Sequence, residues 1–244
     1  MAVDAKGNLI DPDGASHSIL IFKGPAMCGK LAGSIADPYG QPSDASSPDA
    51  LGGPIAVANI FGGASSMLGS ISICSVARGC TRNLTNPAMF EVAGVAMDSK
   101  GNCWADATNP RGAATLTYFQ NCAGRGEAAT GFANSSFGGL DFDAHGNLVT
   151  IDFAASNVRV YAGCDPACRK VGGPLALRGR AVFGKLNRLG VSFAAADVTS
   201  GQIDIYDYTP ARLTYKYRFN EGLPGTQDVE GIAYDPHSKQ EPSL

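Results

Sequence analysis

The chain has 244 residues, with 19 Lys or Arg against 22 Asp or Glu, a formal charge of −3 and no basic block. Nothing in that balance would neutralise a row of phosphates or grip an anionic membrane surface, and no apolar run approaches the ~18 residues of a membrane span, so nucleic acid and membrane insertion are excluded. Glycine, at 31 residues, stands well above the ~7% average and charged residues, at 17%, stand below the usual ~25%, which suits a turn-rich sheet protein.

In chain order, the first unit, about 1–38, opens on Val3-Asp4-Ala5-Lys6-Gly7-Asn8 and carries an alternating strand at 18–23. Its stretch Gly24-Pro25-Ala26-Met27-Cys28-Gly29-Lys30-Leu31 imitates a phosphate-binding loop, but Leu31 stands where Ser or Thr is needed and no helix follows, so it reads as a hairpin turn. The second unit, about 39–88, has a polar 43–47 in place of the apolar opening and a strand at 69–74. The third, about 89–135, is the clearest: 91–106 reads as a buried strand, a tight turn at Ser99-Lys100-Gly101-Asn102 and a returning strand, followed by another at 115–120. Gly124-Arg125-Gly126-Glu127-Ala128-Ala129 mimics a dinucleotide fingerprint between strands, with no helix to offer its N-terminus. The fourth unit, about 136–176, repeats the turn at Phe142-Asp143-Ala144-His145-Gly146-Asn147 and has a strand at 157–162. The fifth, about 177–220, loses the opening signature over 180–188 but has a strand at 201–208 and strict alternation over 213–219. One further first strand is expected at 228–236, around Gly231-Ile232-Ala233-Tyr234-Asp235, and no segment shows a capped helix with an apolar stripe.

Two columns of polar residues share one period. Asp4, Asp98, Asp143 and Asp235 are separated by one or two steps of about 46, and Asp13, Asn59, Asp106, Asp152 and Asp197 by 46, 47, 46 and 45. Short alternating strands at such a spacing, without a helical pattern, predict an all-β propeller: a single domain of five four-stranded blades of about 46 residues plus the additional C-terminal first strand.

The units at 94–106 and 139–152, and less closely 2–13, resemble the repeat of the NHL propellers and the related gluconolactonase-like six-bladed propellers, of the form Gly-Val-Ala-Val-Asp-x-x-Gly-Asn-(apolar)-Tyr-Val-Ala-Asp. The resemblance implies a six-bladed protein of which five blades and one strand are present. The alternative is that 228–236 replaces the weak strand at 2–4 and closes a five-bladed ring. An open ring would expose sheet edges that invite self-association. In gluconolactonase-like propellers a divalent metal such as Ca²⁺ sits on the axis and polarises a lactone carbonyl. Carried over to this chain, that role falls to Glu91, Asp228 and Glu230, with Asp141 as a base.

Set against this, an Asp or Asn ending strand two in every blade is what turn capping requires, so Asp13, Asn59, Asp106, Asp152 and Asp197 are read as a structural rim. Glu91, Ser136, Arg178, Asp228 and Glu230 are expected nearer the axis on the same face. There is no Gly-x-Ser-x-Gly, and His145 and His237, two of the three histidines, sit in turns on the opposite rim, so neither a nucleophilic triad nor a zinc cage is assembled. The favoured function is a secreted or envelope-associated binding or scaffold module for a protein or carbohydrate, without cofactor; the alternative is a metal-dependent lactone or ester hydrolase. Met1 leads into Ala-Val-Asp rather than a charged and then apolar leader, so a signal peptide is expected to be missing from this sequence.

The 7 cysteines fall where hairpins turn, which reads as disulfides and export. Cys74 and Cys80, and Cys164 and Cys168, are close enough to pair within one corner, Cys103 pairs with Cys122 across neighbouring strands, and Cys28 is left over. Trp104 with Tyr161, Tyr206, Tyr208, Tyr215 and Tyr217 either floors a carbohydrate site or fills the space between blades. Asn83 and Asn134 begin glycosylation sequons.

Overall fold

Each repeat is nucleated by a turn that its own side chains close. Asp98 accepts the backbone N–H groups of Lys100 and Asn102 at 2.9 and 2.8 Å and the Asn102 side-chain amide at 2.9 Å. Asp4 repeats this with Lys6 and Asn8, and Asp143 with His145 and Asn147. Gly101, at φ 84°, supplies the left-handed residue of the turn, where a Cβ would cost about 1–2 kcal/mol. The fifth blade, whose signature is missing from the sequence, uses a longer variant: Asn187 accepts the N–H groups of Val191 and Ser192, and Gly190 takes φ 66°.

The computed structural model describes residues 1–24, 30–62, 68–187 and 189–219. Blade 1 comprises β1 (Ala2–Val3), β2 (Leu9–Asp13), β3 (Ser18–Phe22) and β4 (Leu31–Ala36); blade 2 comprises β5 (Gly40–Ser46), β6 (Ile55–Gly62), β7 (Ser70–Ser75) and β8 (Gly79–Leu84). Blade 3 contains β9 (Glu91–Met97), β10 (Cys103–Thr108), β11 (Ala114–Phe119) and β12 (Glu127–Ala128). Blade 4 contains β13 (Leu140–Phe142), β14 (Leu148–Asp152) and β15 (Asn157–Gly163), with its outer strand in two pieces, β16 (Cys168–Lys170) and β17 (Leu175–Ala176), both paired with β15. Blade 5 contains β18 (Ala181–Leu186), β19 (Ser192–Asp197), β20 (Gln202–Thr209) and β21 (Arg212–Phe219). All of these pairings are antiparallel, in the order of the chain, and the one helical segment among the described residues is a 3₁₀ turn at Gln120–Cys122. The described residues therefore form a β-propeller of five blades. The strand expected at 228–236 lies outside the described residues, which form the five four-stranded blades that the period predicts.

The core lies between the blades, because each sheet is apolar on both faces. Ile71, Leu84, Val92 and Phe119 fill the gap between blades 2 and 3. Trp104, Leu116, Leu140 and Tyr161 fill the next, and Ile151, Val158, Phe193 and Tyr206 the one between blades 4 and 5. Inner strands approach so closely that a Cβ on Gly94 would come within 2.3 Å of the Gly138 carbonyl oxygen. Disulfides join Cys74 to Cys80, Cys103 to Cys122 and Cys164 to Cys168, one in each of blades 2, 3 and 4. By loop-closure entropy the Cys103–Cys122 bond, with a sequence separation of 19, is worth about 3 kcal/mol and the shorter two about 2 kcal/mol each. Cys28 lies outside the described residues. Among the described residues no helix is long and apolar enough to cross a membrane.

Candidate functional site

Charged side chains occur inside three of the inner strands, β5, β13 and β18, and the fold brings them together. Asp44 on β5 is fully buried; its Oδ2 accepts the Val95 N–H of β9 at 3.2 Å and faces Lys185 Nζ of β18 at 3.4 Å. Lys185 also donates to the Leu140 carbonyl at 2.9 Å. The Met1 amino group lies 3.6 Å from Asp44 Oδ1. Asp141 on β13 accepts the Phe142 and Leu186 N–H groups, each at 2.8 Å, and burial raises its carboxyl above the ordinary range, against the pull of Lys185 and those two amides. Asp44 and Asp141 thus do the same work: each takes an amide from the inner strand of the next blade. Below them a cavity of about 270 Å³ opens between the Asp-x-x-Gly-Asn turns, lined in part by Asp4, Ser46, Met97, Asp141, Lys185 and Asn187. Asp141 is therefore held by backbone amides rather than free beside the expected metal ligands.

Of those expected ligands the structure describes Glu91 alone; Asp228 and Glu230 lie outside the described residues. Glu91 begins β9, half-buried, and its carboxylate accepts a long 3.5 Å contact from the Thr108 hydroxyl. Ser136 donates its N–H to Asp152. Arg178 departs from the expected axial position: its guanidinium carbon sits 4.6 Å from the centroid of Tyr215, on the outermost strand of blade 5. Among the described residues, the one group of three potential metal-binding side chains is Asp37 with Cys74 and Cys80, and both sulfurs are spent on the disulfide.

The rim column divides into two kinds. Asp13 accepts from Ala15 and Ser16, and Asp197 from Thr199 and Ser200, so both hold their own turns. Asp152 holds Ser135 and Ser136 and pairs with Arg159 at 3.1 Å. Asn59 and Asp106 are fully buried instead. Asn59 donates to Ser70 and Ser72, while Asp106 accepts the Gly138 N–H of blade 4 at 3.3 Å and leaves Oδ1 without a partner. Burial, together with the nearby Asp152 charge, pushes the Asp106 carboxyl well above the ordinary range.

The aromatic residues are mostly structural. Trp104 donates to the Cys164 carbonyl at 2.7 Å, Tyr161 binds Asn134, and Tyr208 donates to Asp143. Tyr206, its phenol pushed up to about 12 by burial, accepts the Arg178 N–H, and Tyr217 packs on the Ala194 and Ile205 cluster. Asn134 spends both ends of its amide on Thr150 and Tyr161, whereas Asn83 is exposed on β8.

A second opening lies on the rim where the column ends, between blades 4 and 5: a cleft of about 490 Å³ lined by Ser156, Arg178, Arg180, Asp197, Thr199 and Arg218, among others. Arg180, like Arg178, lies over a ring, 4.4 Å from the centroid of Phe153. Asp44, Lys185 and Arg180 were not singled out by sequence. The available signal for the first two is a lone charge within an otherwise uncharged inner strand.

No family model matches the chain, and no curated protein matches it in sequence. Solved structures do. The nidogen/laminin complex contains a chain aligned with TM-score 0.69 and 16% identity, over 90% of this chain and 78% of that one. Streptogramin B lyase aligns with TM-score 0.64 and 12% identity, over 95% and 71%, and luciferin-regenerating enzyme with TM-score 0.61 and 12% identity, over 93% and 75%. Identities this low show the propeller fold alone, and these propellers serve different functions.

Proposed function

We propose that the chain is an exported, non-catalytic binding module that presents rim loops to a partner on a rigid hub. The observation that carries this reading is the use of Asp44 and Asp141: these inner-strand carboxylates are bound to amides of the next blade, and Lys185 is bound to Asp44 and the Leu140 carbonyl. Groups committed in this way hold blades together. Three disulfides support export, since such bonds persist in oxidising compartments. The test is a screen of lactones and sugar esters with added Ca²⁺, Mn²⁺ or Zn²⁺. No turnover is expected, and turnover abolished by Glu91→Gln would replace this reading with a hydrolase.

That hydrolase is the second reading, favoured by the loosely engaged carboxylate of Glu91. It would hold a divalent ion with Glu91, Asp228 and Glu230, the ion polarising a lactone carbonyl. Elemental analysis and a thermal shift on adding Ca²⁺ check it: a stoichiometric ion or a shift lost in Glu91→Gln supports the hydrolase.

A further inference from the structure

We propose that the cleft between blades 4 and 5 binds an acidic glycan by its oxyanions, an inference that rests on the binding-module reading and names its ligand. The cleft is assembled from four places: the segment leading into β18 brings Arg178 and Arg180, the β14–β15 turn brings Ser156, the β19–β20 turn brings Thr199 and the outer strand β21 brings Arg218. Arg178 lies over Tyr215 and Arg180 over Phe153, at 4.6 and 4.4 Å. A guanidinium stacked on a ring uses its face and keeps its N–H groups along the edge, the geometry that grips a carboxylate or sulfate in a fork. Both arginines are exposed, and among the described residues neither guanidinium donates a hydrogen bond or joins an ion pair.

The backbone that carries them is fixed. Arg178 donates its N–H to Tyr206 Oη at 2.9 Å, and the Arg180 carbonyl accepts from Val198 at 2.9 Å. Gly179 between them lies on the Asp197 carboxylate, where an added Cβ would come within 2.4 Å. The acidic groups nearby are already satisfied. Arg218 pairs with both Asp197 (2.9 Å) and Asp204 (2.7 Å), and Thr199 and Ser200 supply further donors to Asp197. Three guanidiniums against two carboxylates leave a local positive charge on a chain whose formal charge is −3. None of the large exposed apolar side chains, Leu31, Leu51, Phe61, Val76, Leu189 and Val191, lines the cleft. A protein partner draws most of its affinity from a buried aromatic or aliphatic anchor, for which this cleft has no seat, whereas a hydrated polyanion needs the forks and hydroxyls present here.

The experiment titrates the full chain, by calorimetry, with an oligogalacturonate, a sulfated hexasaccharide, neutral maltohexaose and poly-glutamate. Binding of an acidic oligosaccharide, weakened by NaCl and absent for maltohexaose, is expected, and the tighter of the two acidic sugars identifies carboxylate or sulfate as the oxyanion. The Arg178→Gln/Arg180→Gln variant should lose at least ~10-fold in affinity, about 1.4 kcal/mol, with an unchanged thermal midpoint. Thr199→Glu, which places a carboxylate in the cleft while keeping its backbone bond, should do the same and serves if the first variant does not fold. Unaltered affinity in both variants overturns the site, as does poly-glutamate binding equal to that of the sugars, or no binding by either acidic sugar. Lactone turnover in the screen above would instead overturn the binding-module reading and leave these titrations to decide the cleft on their own.

Discussion

Asp106 shows how one position in a repeating column acquires a different task. Its counterparts Asp13 and Asp197 are held by their own turns, but Asp106 is buried against blade 4 with one oxygen bonded to Gly138 and the other unpartnered. Burial raises its carboxyl well above the ordinary value of 3.8, so the folded chain retains a proton that the unfolded chain has released. Stability therefore falls as pH rises from the unfolded value towards the folded one, and levels off beyond it. Asp106→Asn removes the charge and keeps an acceptor for Gly138, and blade 2 already carries Asn59 in this column. Urea midpoints measured from pH 4 to pH 8 should lose that decline, with the variant gaining on the natural chain at high pH by about 1.4 kcal/mol for each unit by which folding raises the carboxyl. An unchanged pH profile would show that Asp106 is not the group responsible.

At the scale of the element, the first hairpins of blades 1, 3 and 4 were legible in advance because a two-strand unit with an Asp-x-x-Gly-Asn turn carries all its chemistry within a few residues. Asp98 and Asp143 make the same local bonds, but Asp143 also receives the buried hydroxyl of Tyr208 from blade 5 at 3.2 Å. Asp143→Ala should therefore destabilise by about 2–4 kcal/mol and Asp98→Ala by about 1–2 kcal/mol. Adding Tyr208→Phe to Asp143→Ala should cost little more, because the hydroxyl has already lost its partner. Equal urea midpoints for the two alanine variants would contradict this. The fifth hairpin escaped sequence reading because its turn is longer and Asn187 stands in for the Asp. The cleft escaped for a different reason. Arg178 and Arg180 carry no motif, and the rings beneath them, Tyr215 and Phe153, come from two other segments, so their meeting is a property of blade packing.

For the whole molecule, the period predicted the number of sheets and their antiparallel order, because each repeat buries itself on its neighbours. What lies at the centre has no periodic trace: Lys185 and Asp44 are 141 residues apart, on opposite sides of the repeat count. Their pairing ties blade 5 to blade 2 through the hub. Lys185→Met leaves the Asp44 carboxylate buried with less to balance it and should cost about 3 kcal/mol, while Lys185→Met/Asp44→Leu should recover much of that loss. Additive losses in the urea midpoints of the two single variants and the double would mean that the two side chains do not interact.

The uneven placement of the disulfides gives the blades an unequal sensitivity to reduction. Blades 2, 3 and 4 each contain a covalent cross-link, whereas the stretch 177–220 contains no cysteine. Each bridge closes a corner inside its own sheet, so a reductant would loosen blades 2, 3 and 4 and leave the hairpins of blade 5, including the strand that carries Arg218, as they are.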